Sequence, residues 1–418
     1  MVITEFDDLY GIEIPDSWSV EKLEPKIGNV KSGKRLPKGY YVVDVHTNHP
    51  YIRIIDMRQG YVDTSDLKYV PDEAFPAIQN YRIYKDDIYI SVAGTLGIVG
   101  QIPAHIDGAN LTENANRVTN IKCNIKYLMY WLMSSLIQNT ISQTQTLGAQ
   151  PKLALTRIRN FPVILPPAKE QEKIAEALSD VDRLITDLQK LIQKKKDIRQ
   201  GTMQMLVTGK KRLDGYSREW ITKPLEKLCD LITDGSHESP SEYLDGFYMP
   251  SVKDMTDSGF DFSNCKRISK IDYERLVANG CKPEVGDVLI AKDGSMLKYV
   301  FPVVENRDIV ILSSIAILRP KKNAISSSYL TYYFRQPWFV EQVIKSNQTG
   351  TGVPRIVLKN FKKIELFVPM DCKEQEAIAN ILFDIDMDIW LLEKKLKKFM
   401  SIKQGMMEEL LTGKVRLS

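Results

Sequence analysis

Residues 169–213 and 373–417 align without a gap, and 23 of the 45 positions are identical. They read KEQEKIAEALSDVDRLITDLQKLIQKKKDIRQGTMQMLVTGKKRL and KEQEAIANILFDIDMDIWLLEKKLKKFMSIKQGMMEELLTGKVRL. Chance leaves only a few such matches, so the chain holds two copies of one plan, and a repeat of this kind constrains every local reading. Upstream the order is kept with less identity. The stretch from Trp18 to Gly33 faces Trp220 to Gly235, and DDIYISVAGTLG (86–97) faces GDVLIAKDGSML (286–297). YLMYWL (127–132) faces YLTYYF (329–334), and GAQPKLALTRIRNF (148–161) faces GTGVPRIVLKNF (350–361). Two copies that keep one segment and diverge elsewhere share a structural job and differ in what they bind.

The retained segments carry helical periodicity. In the first, apolar residues fall at Ile174, Ala177, Val181, Leu184, Leu188, Leu191, Ile198 and Met205, in steps of three and four. Such spacing is a heptad seam, here interrupted by Lys195 and Thr202 and widened by Leu178, Ile185, Ile192 and Leu206. The second runs Ile378, Ile381, Ile385, Leu392, Phe399, Ile402 and Met406, widened by Leu382, Ile389, Leu396 and Leu410. Pro166, Pro167 and Pro369 precede the helices, and Glu170, Glu172, Glu374 and Glu376 sit in the first turns, where carboxylates suit the positive dipole end. Thr-Gly at 208–209 and 412–413 supplies the stop. Each segment predicts a helix of roughly 35 residues, about 50 Å long at 1.5 Å per residue. The simplest partner for each stripe is the other copy, in an intramolecular coiled coil; a coil between chains is the alternative. Gly201 and Gly405 lie inside the pattern and mark either a close helix approach or a frayed end.

Composition narrows the function. The 57 Lys+Arg against 53 Asp+Glu leave a net charge of +4, so any nucleic-acid footprint is local rather than global. Five scattered cysteines without a C-x-x-C pair fit free thiols in a cytoplasmic protein, and no apolar run is long enough to span a membrane. No Walker loop, G-x-S-x-G, H-E-x-x-H or Asn/Asp-Pro-Pro-aromatic tetrapeptide is present, and the four histidines do not cluster. The expectation is a chain with no catalytic residues, metal or cofactor of its own.

The variable halves alternate short β-like runs, such as DIYISV (87–92) and GDVLIA (286–291), with helical stretches at 125–138 and 328–345. This predicts a small α/β domain used twice. Loops rich in Lys, Ser and Gly are candidates for contact with phosphates and base edges. They are Lys31, Ser32, Lys34 and Arg35 in the first copy, facing Ser236 and His237 in the second. Arg53 and Arg58 bracket a strand end, with Lys253 in the matching place, and Lys292, Ser295 and Lys298 follow a strand. The same loops are also compatible with plain surface turns. Tyr127, Trp131, Tyr329 and Tyr333 stand at helical spacing beside Leu and Met and read as core rather than as stacking platforms.

The motifs P-P-x-KEQ-x-x-I-A (166–175), KEQEAIA (373–379), LxTGK-x-R (206–212 and 410–416), DGSH after a Trp-led strand, and GxGVP before a helix resemble those of the specificity subunit of Type I restriction–modification systems. The resemblance covers nearly the whole chain; DDIY in place of GD-x-L, and KSGKR in place of DGSH, are departures in the first copy. It implies two target recognition domains, 1–165 and 213–368, separated by helical spacers at 166–212 and 369–418 that form an antiparallel coiled coil. It implies a split double-stranded DNA target, two docked methyltransferase subunits using S-adenosylmethionine for N6-adenine methylation, and restriction subunits using ATP and Mg2+. Glu170, Gln171, Ile174, Val181, Leu188, Glu374, Gln375, Ile378, Ile385 and Leu392 are the expected spacer and docking residues. A methylation-only or double-cutting system, or a coiled-coil adaptor that binds protein, are the alternatives.

Overall fold

The computed structural model describes residues 13–143, 152–347 and 355–417. The Gly/Pro stretches at 148–151 and 350–354 fall outside them. Two compact units emerge: Met1–Gln189 with Lys394–Ser418, and Lys190–Glu393. Both retained segments are single helices, α1 (Ala168–Val207, 40 residues) and α2 (Cys372–Leu410, 39 residues). Each unit therefore takes the first half of one helix and the second half of the other.

Within each unit the two half-helices pair antiparallel. In the first, Lys403 Nζ lies 2.6 Å from Asp182 Oδ1, and Arg416 reaches back to Glu170 at 2.6 Å. In the second, Lys195 meets Asp388 at 2.8 Å, Lys196 meets Glu393 at 2.7 Å and Arg212 meets Glu374 at 2.7 Å. The start of each retained segment thus meets the end of the other, Glu170 with Arg416 and Glu374 with Arg212, as an antiparallel pair requires. The buried seam differs from the periodicity first read. Ile174, Leu178, Leu188, Ile192, Met203 and Leu206 are buried on α1, whereas Leu184, Leu191, Ile198 and Met205 remain 41–48% exposed. On α2, Ile378, Leu382, Ile389, Met407 and Leu410 are buried and Ile402 is exposed. The column of Ile174 and Leu188 is buried as the spacing predicts, but the apolar stripe is three positions wide per heptad, and packing takes as its second column the one that starts at Leu178 rather than at Ala177. A Cβ placed on Gly201 or Gly405 would meet no atom within 4 Å, which removes close helix approach as the reason for these glycines.

Each unit carries the same four-stranded antiparallel sheet. The first is built from β1 (Asn29–Ser32), β2 (Ile88–Ser91), β3 (Val99–Gly100) and β4 (Ala115–Thr119), in the order β1-β4-β2-β3. The second uses β5 (Cys229–Asp234), β6 (Val288–Ala291), β7 (Val300–Pro302) and β8 (Ile315–Pro320), in the order β5-β8-β6-β7. Ile88 pairs with Val118 and Val288 with Leu318, so the two sheets correspond position by position. Strand residues such as Ile88, Ile90 and Val118, or Val288, Ile290 and Leu318, bury fully against the helices Ile125–Met133 and Ser327–Phe334. Tyr127, Trp131, Tyr329 and Tyr333 are core, each at most 3% exposed. The Tyr127 hydroxyl donates to Ile164 O at 2.8 Å and the Trp131 indole to Pro162 O at 2.6 Å, so their polar ends are satisfied inside.

Candidate nucleic-acid interface

The loops singled out in the sequence gather at one end of each sheet. Strand β1 ends there, β4 begins there, and the turn after β2 closes over both. Gly33 marks the junction: a Cβ on it would lie 2.0 Å from Thr112 O, so only glycine permits the approach. Gly235 occupies the same place, its Cβ position 2.1 Å from Ile311 O. Lys34 N donates to Leu111 O and Ser236 N to Ile311 O, each at 2.8 Å, which equates these two residues. The pairing of KSGKR with DGSH is therefore a structural equivalence. Lys31, Ser32, Lys34, Arg35 and His237 are exposed.

Several cations at this end are committed to the protein. Arg53 Nη2 lies 2.6 Å from Asp56 and 3.2 Å from Asp66. Arg58 donates to Ile55 O at 2.6 Å and Met57 O at 2.9 Å, and meets Asp63 at 3.2 Å. Arg35 lies 3.3 Å from Glu113. Two of the expected residues are turned inward. Lys292 is 6% exposed, its ammonium 3.3 Å from Asp234 and 3.2 Å from Asp293, and a cation taken from water in this way is held by its carboxylates rather than offered to solvent. Ser236 is 5% exposed, with its hydroxyl donating to Glu238 O at 2.8 Å and accepting from Glu238 N at 3.0 Å. Lys253 also changes partner. Arg53 and Ser251 each open a 3-10 turn by donating their N–H to an aspartate three residues on, Asp56 and Asp254, so Lys253 matches the exposed Ile55 and not an arginine. Lys253 and Lys298 are exposed and Ser295 half-buried; Lys298 rests 5.0 Å over the Tyr299 ring. The turn holding Lys298 is one residue longer than its counterpart: Ser91 N donates to Ile98 O, whereas Ala291 N donates to Tyr299 O.

Sequence reasoning passed over Lys152 and Arg355. They follow the Gly/Pro stretches and form matching single bridges to the turn beyond the central strand, Ala93 to Lys152 and Asp293 to Arg355. The signal was there in the repeat: PK in one copy stands against PR in the other.

The opposite, retained end of each unit is a closed polar clamp. Glu170 accepts from the Trp18 indole at 3.1 Å and from Arg416 at 2.6 and 2.7 Å. Glu374 accepts from the Trp220 indole at 3.3 Å and from Arg212 at 3.1 and 2.7 Å. Arg416 holds the Glu170 carboxyl below the usual carboxylate range. Gln171 accepts from Asn124 N and donates to Pro166 O; Gln375 accepts from Ser326 N and donates to Pro369 O. Gly413 and Gly209, at φ +77° and +69°, turn the chain beneath Trp18 and Trp220. The KEQ and TGK-x-R motifs thus recur because each glutamate of one motif binds the arginine of the other. Glu170, Gln171, Glu374 and Gln375 are all at most 7% exposed, so these four brace the spacer from within and present no face for docking. Ile174, Leu188 and Ile378 lie in the buried seam, with Val181, Ile385 and Leu392 half-buried beside them. Midway along the helices, Asp182 accepts from Tyr130 at 2.7 Å and Asp386 from Tyr332 at 2.9 Å, while Lys403 and Arg199 supply the respective counter-charges.

Comparison with known proteins agrees with this doubled plan. The Type I restriction modification DNA specificity domain matches twice, over residues 15–200 and 218–399. A putative type I restriction enzyme MjaX specificity subunit from Methanocaldococcus jannaschii is 25% identical, over 97% of this chain and 95% of its own length. The S subunit of a Type I restriction–modification system from M. genitalium shares the fold with a TM-score of 0.57 at 16% identity, covering 96% of both chains. A chain from a structural study of complex assembly and conformational transition of the type I R-M system also aligns at a TM-score of 0.57, with 15% identity, covering 96% of this chain and 100% of that one.

Proposed function

The chain belongs to the Type I restriction–modification DNA specificity family, and from that membership we propose that each unit reads one half of a split double-stranded target while the helices carry methyltransferase subunits. The observation that carries the reading is the contrast between the two ends of each unit. The clamp end is the same in both copies. The loop end has the same backbone frame but different side chains: Lys34 against Ser236, Arg35 against His237, Ile55 against Lys253. A shared frame with exchanged polar groups is what two readers of different base sequences need, because base edges differ in their donors and acceptors while the backbone path does not.

The helices supply a surface for partners. In the second unit Leu191, Ile198 and Met205 repeat every seven residues on α1 and are 41–47% exposed, and α2 shows Trp390 and Leu391 just over half exposed. Large apolar side chains in this density on a charged helix pair mark an interaction surface. In this reading its occupant is a methyltransferase subunit, which brings S-adenosylmethionine and methylates adenine at N6; restriction subunits bring ATP and Mg2+. The chain itself performs no chemistry and works in the cytoplasm. The test is sequencing of methylated adenines in a host carrying the complete operon. A two-part motif with an unspecified gap supports the reading. A contiguous motif, or methylation that persists when this chain is deleted, overturns it.

A further inference from the structure

The acidic residues that cap the loop turns are kept in both units, Asp56 with Asp254 and Asp63 with Asp261, but the cations at the loop ends are not, with one exception. Taken pairwise by backbone equivalence, Lys31 stands against Thr233, Lys34 against Ser236, Arg53 against Ser251, Arg58 against Thr256, Ile55 against Lys253 and Val92 against Lys292. In each pair the charge belongs to one copy alone. At Lys152 and Arg355 both copies keep a cation.

The backbone at this position is fixed in both units. Leu153 N donates to Val92 O and Ile356 N to Lys292 O, each at 3.0 Å, just beside the single bridges to Ala93 and Asp293. The next residue is an anchor: Leu153 is 4% exposed within one core and Ile356 fully buried in the other. In an extended segment successive side chains point to opposite faces, so burying the anchor sends the preceding side chain outward. Lys152 and Arg355 are accordingly exposed, and among the described residues neither makes an ion pair. By contrast Arg53, Arg58 and Lys292 are held by carboxylates.

We propose that Lys152 and Arg355 are the phosphate contacts common to both units, binding the DNA backbone irrespective of sequence and setting each unit's register on its half-site. The inference rests on the DNA-reading role proposed above. Contacts to phosphate carry no sequence information, so they survive when two copies diverge to read different bases, whereas base contacts do not. A lysine in one copy and an arginine in the other fits this, because a phosphate asks for positive charge and either cation supplies it.

The experiment uses the full chain assembled with the methyltransferase subunits of its own operon. Binding is measured over a salt series on a duplex carrying the methylated motif and on a scrambled duplex of equal length. Lys152→Ala and Arg355→Ala should weaken both duplexes by the same factor, and each should lower the slope of log affinity against log salt by about 0.9. The methylated motif should stay unchanged, and Lys152→Arg and Arg355→Lys should retain the wild-type slope. A loss confined to the motif duplex, or an altered methylated motif, shows base reading and overturns the proposal. So does an unchanged slope. A wild-type complex that binds neither duplex sinks the DNA-reading role itself, and this assignment with it.

Discussion

The clamp around Glu374 and the loop end around Lys253 lie in the same unit and use the same residue types to opposite ends. Glu374 is fully buried, and its carboxyl is met by a guanidinium and an indole N–H. Lys253 is exposed and without an ion pair among the described residues. The clamp commits its charges to holding the chain together; the loop end pairs some of its cations but leaves others, Lys253 among them, to solvent. The difference explains why one region tolerates divergence. A buried carboxylate that loses its partner costs several kcal/mol, so both members of the pair are fixed together, while an exposed lysine can be exchanged at little cost to folding.

Substitution gives the sharpest test of this contrast. Glu374→Ala strands the Arg212 guanidinium and the Trp220 indole, and should cost about 3 kcal/mol, near the low end for a broken buried pair because the guanidinium is partly solvated. Lys253→Ala should cost under about 0.5 kcal/mol. Urea midpoints of the two variants decide the matter, and equal destabilisation would erase the distinction between the ends.

The helices offer a smaller effect of a different kind. Leu191→Asp combined with Ile198→Asp alters half-exposed side chains beside the seam. The pair should leave the chain's own stability within about 1 kcal/mol while weakening methyltransferase docking by about 2 kcal/mol or more. Co-purification with the methyltransferase subunit, alongside thermal unfolding of the free chain, separates the two effects. Loss of folding in the absence of any partner would show that these side chains hold the helix pair together instead of docking a second subunit.

The smallest expected effect is a pH dependence. The Glu170 carboxyl is held below its ordinary value near 4.5, chiefly by Arg416. A depressed folded pKa gives stability that is fully present above the unfolded value and is lost as pH falls through the folded one. The stability advantage of the natural chain over Glu170→Gln should therefore be constant near neutrality and shrink below about pH 4.5. Urea midpoints at pH 7, 5 and 3.5 read this directly. An advantage that grows toward low pH has the wrong sign.

The retained region was the more legible in sequence because its information is periodic and duplicated. Heptad spacing revealed both helices, and the repeat revealed their mutual pairing. What the letters left open was which column of the wide stripe is buried: Leu184, Leu191 and Ile198 are as apolar as Leu178, Ile185 and Ile192, and only packing against the antiparallel partner separates them. The KEQ and TGK-x-R motifs were visible as motifs, but their meeting was not, since Glu170 and Arg416 lie far apart along the chain. At the loop end, exposure was the missing quantity. Lys292 and Lys298 look alike in sequence; the carboxylates of Asp234 and Asp293, brought together by the sheet, bury one and leave the other exposed. Lys152 and Arg355 are single cations beside Gly/Pro stretches, and only their shared place in the two copies distinguishes them.

If the two units read their half-sites independently, exchanging one domain changes one half of the target alone. Residues 1–165 are replaced by the matching part of another family member, the operon is otherwise kept, and methylated adenines are sequenced across the host genome. The expected motif is changed in one half only, with the other half and the gap length preserved. A motif altered in both halves, or altered in neither, would contradict independent reading.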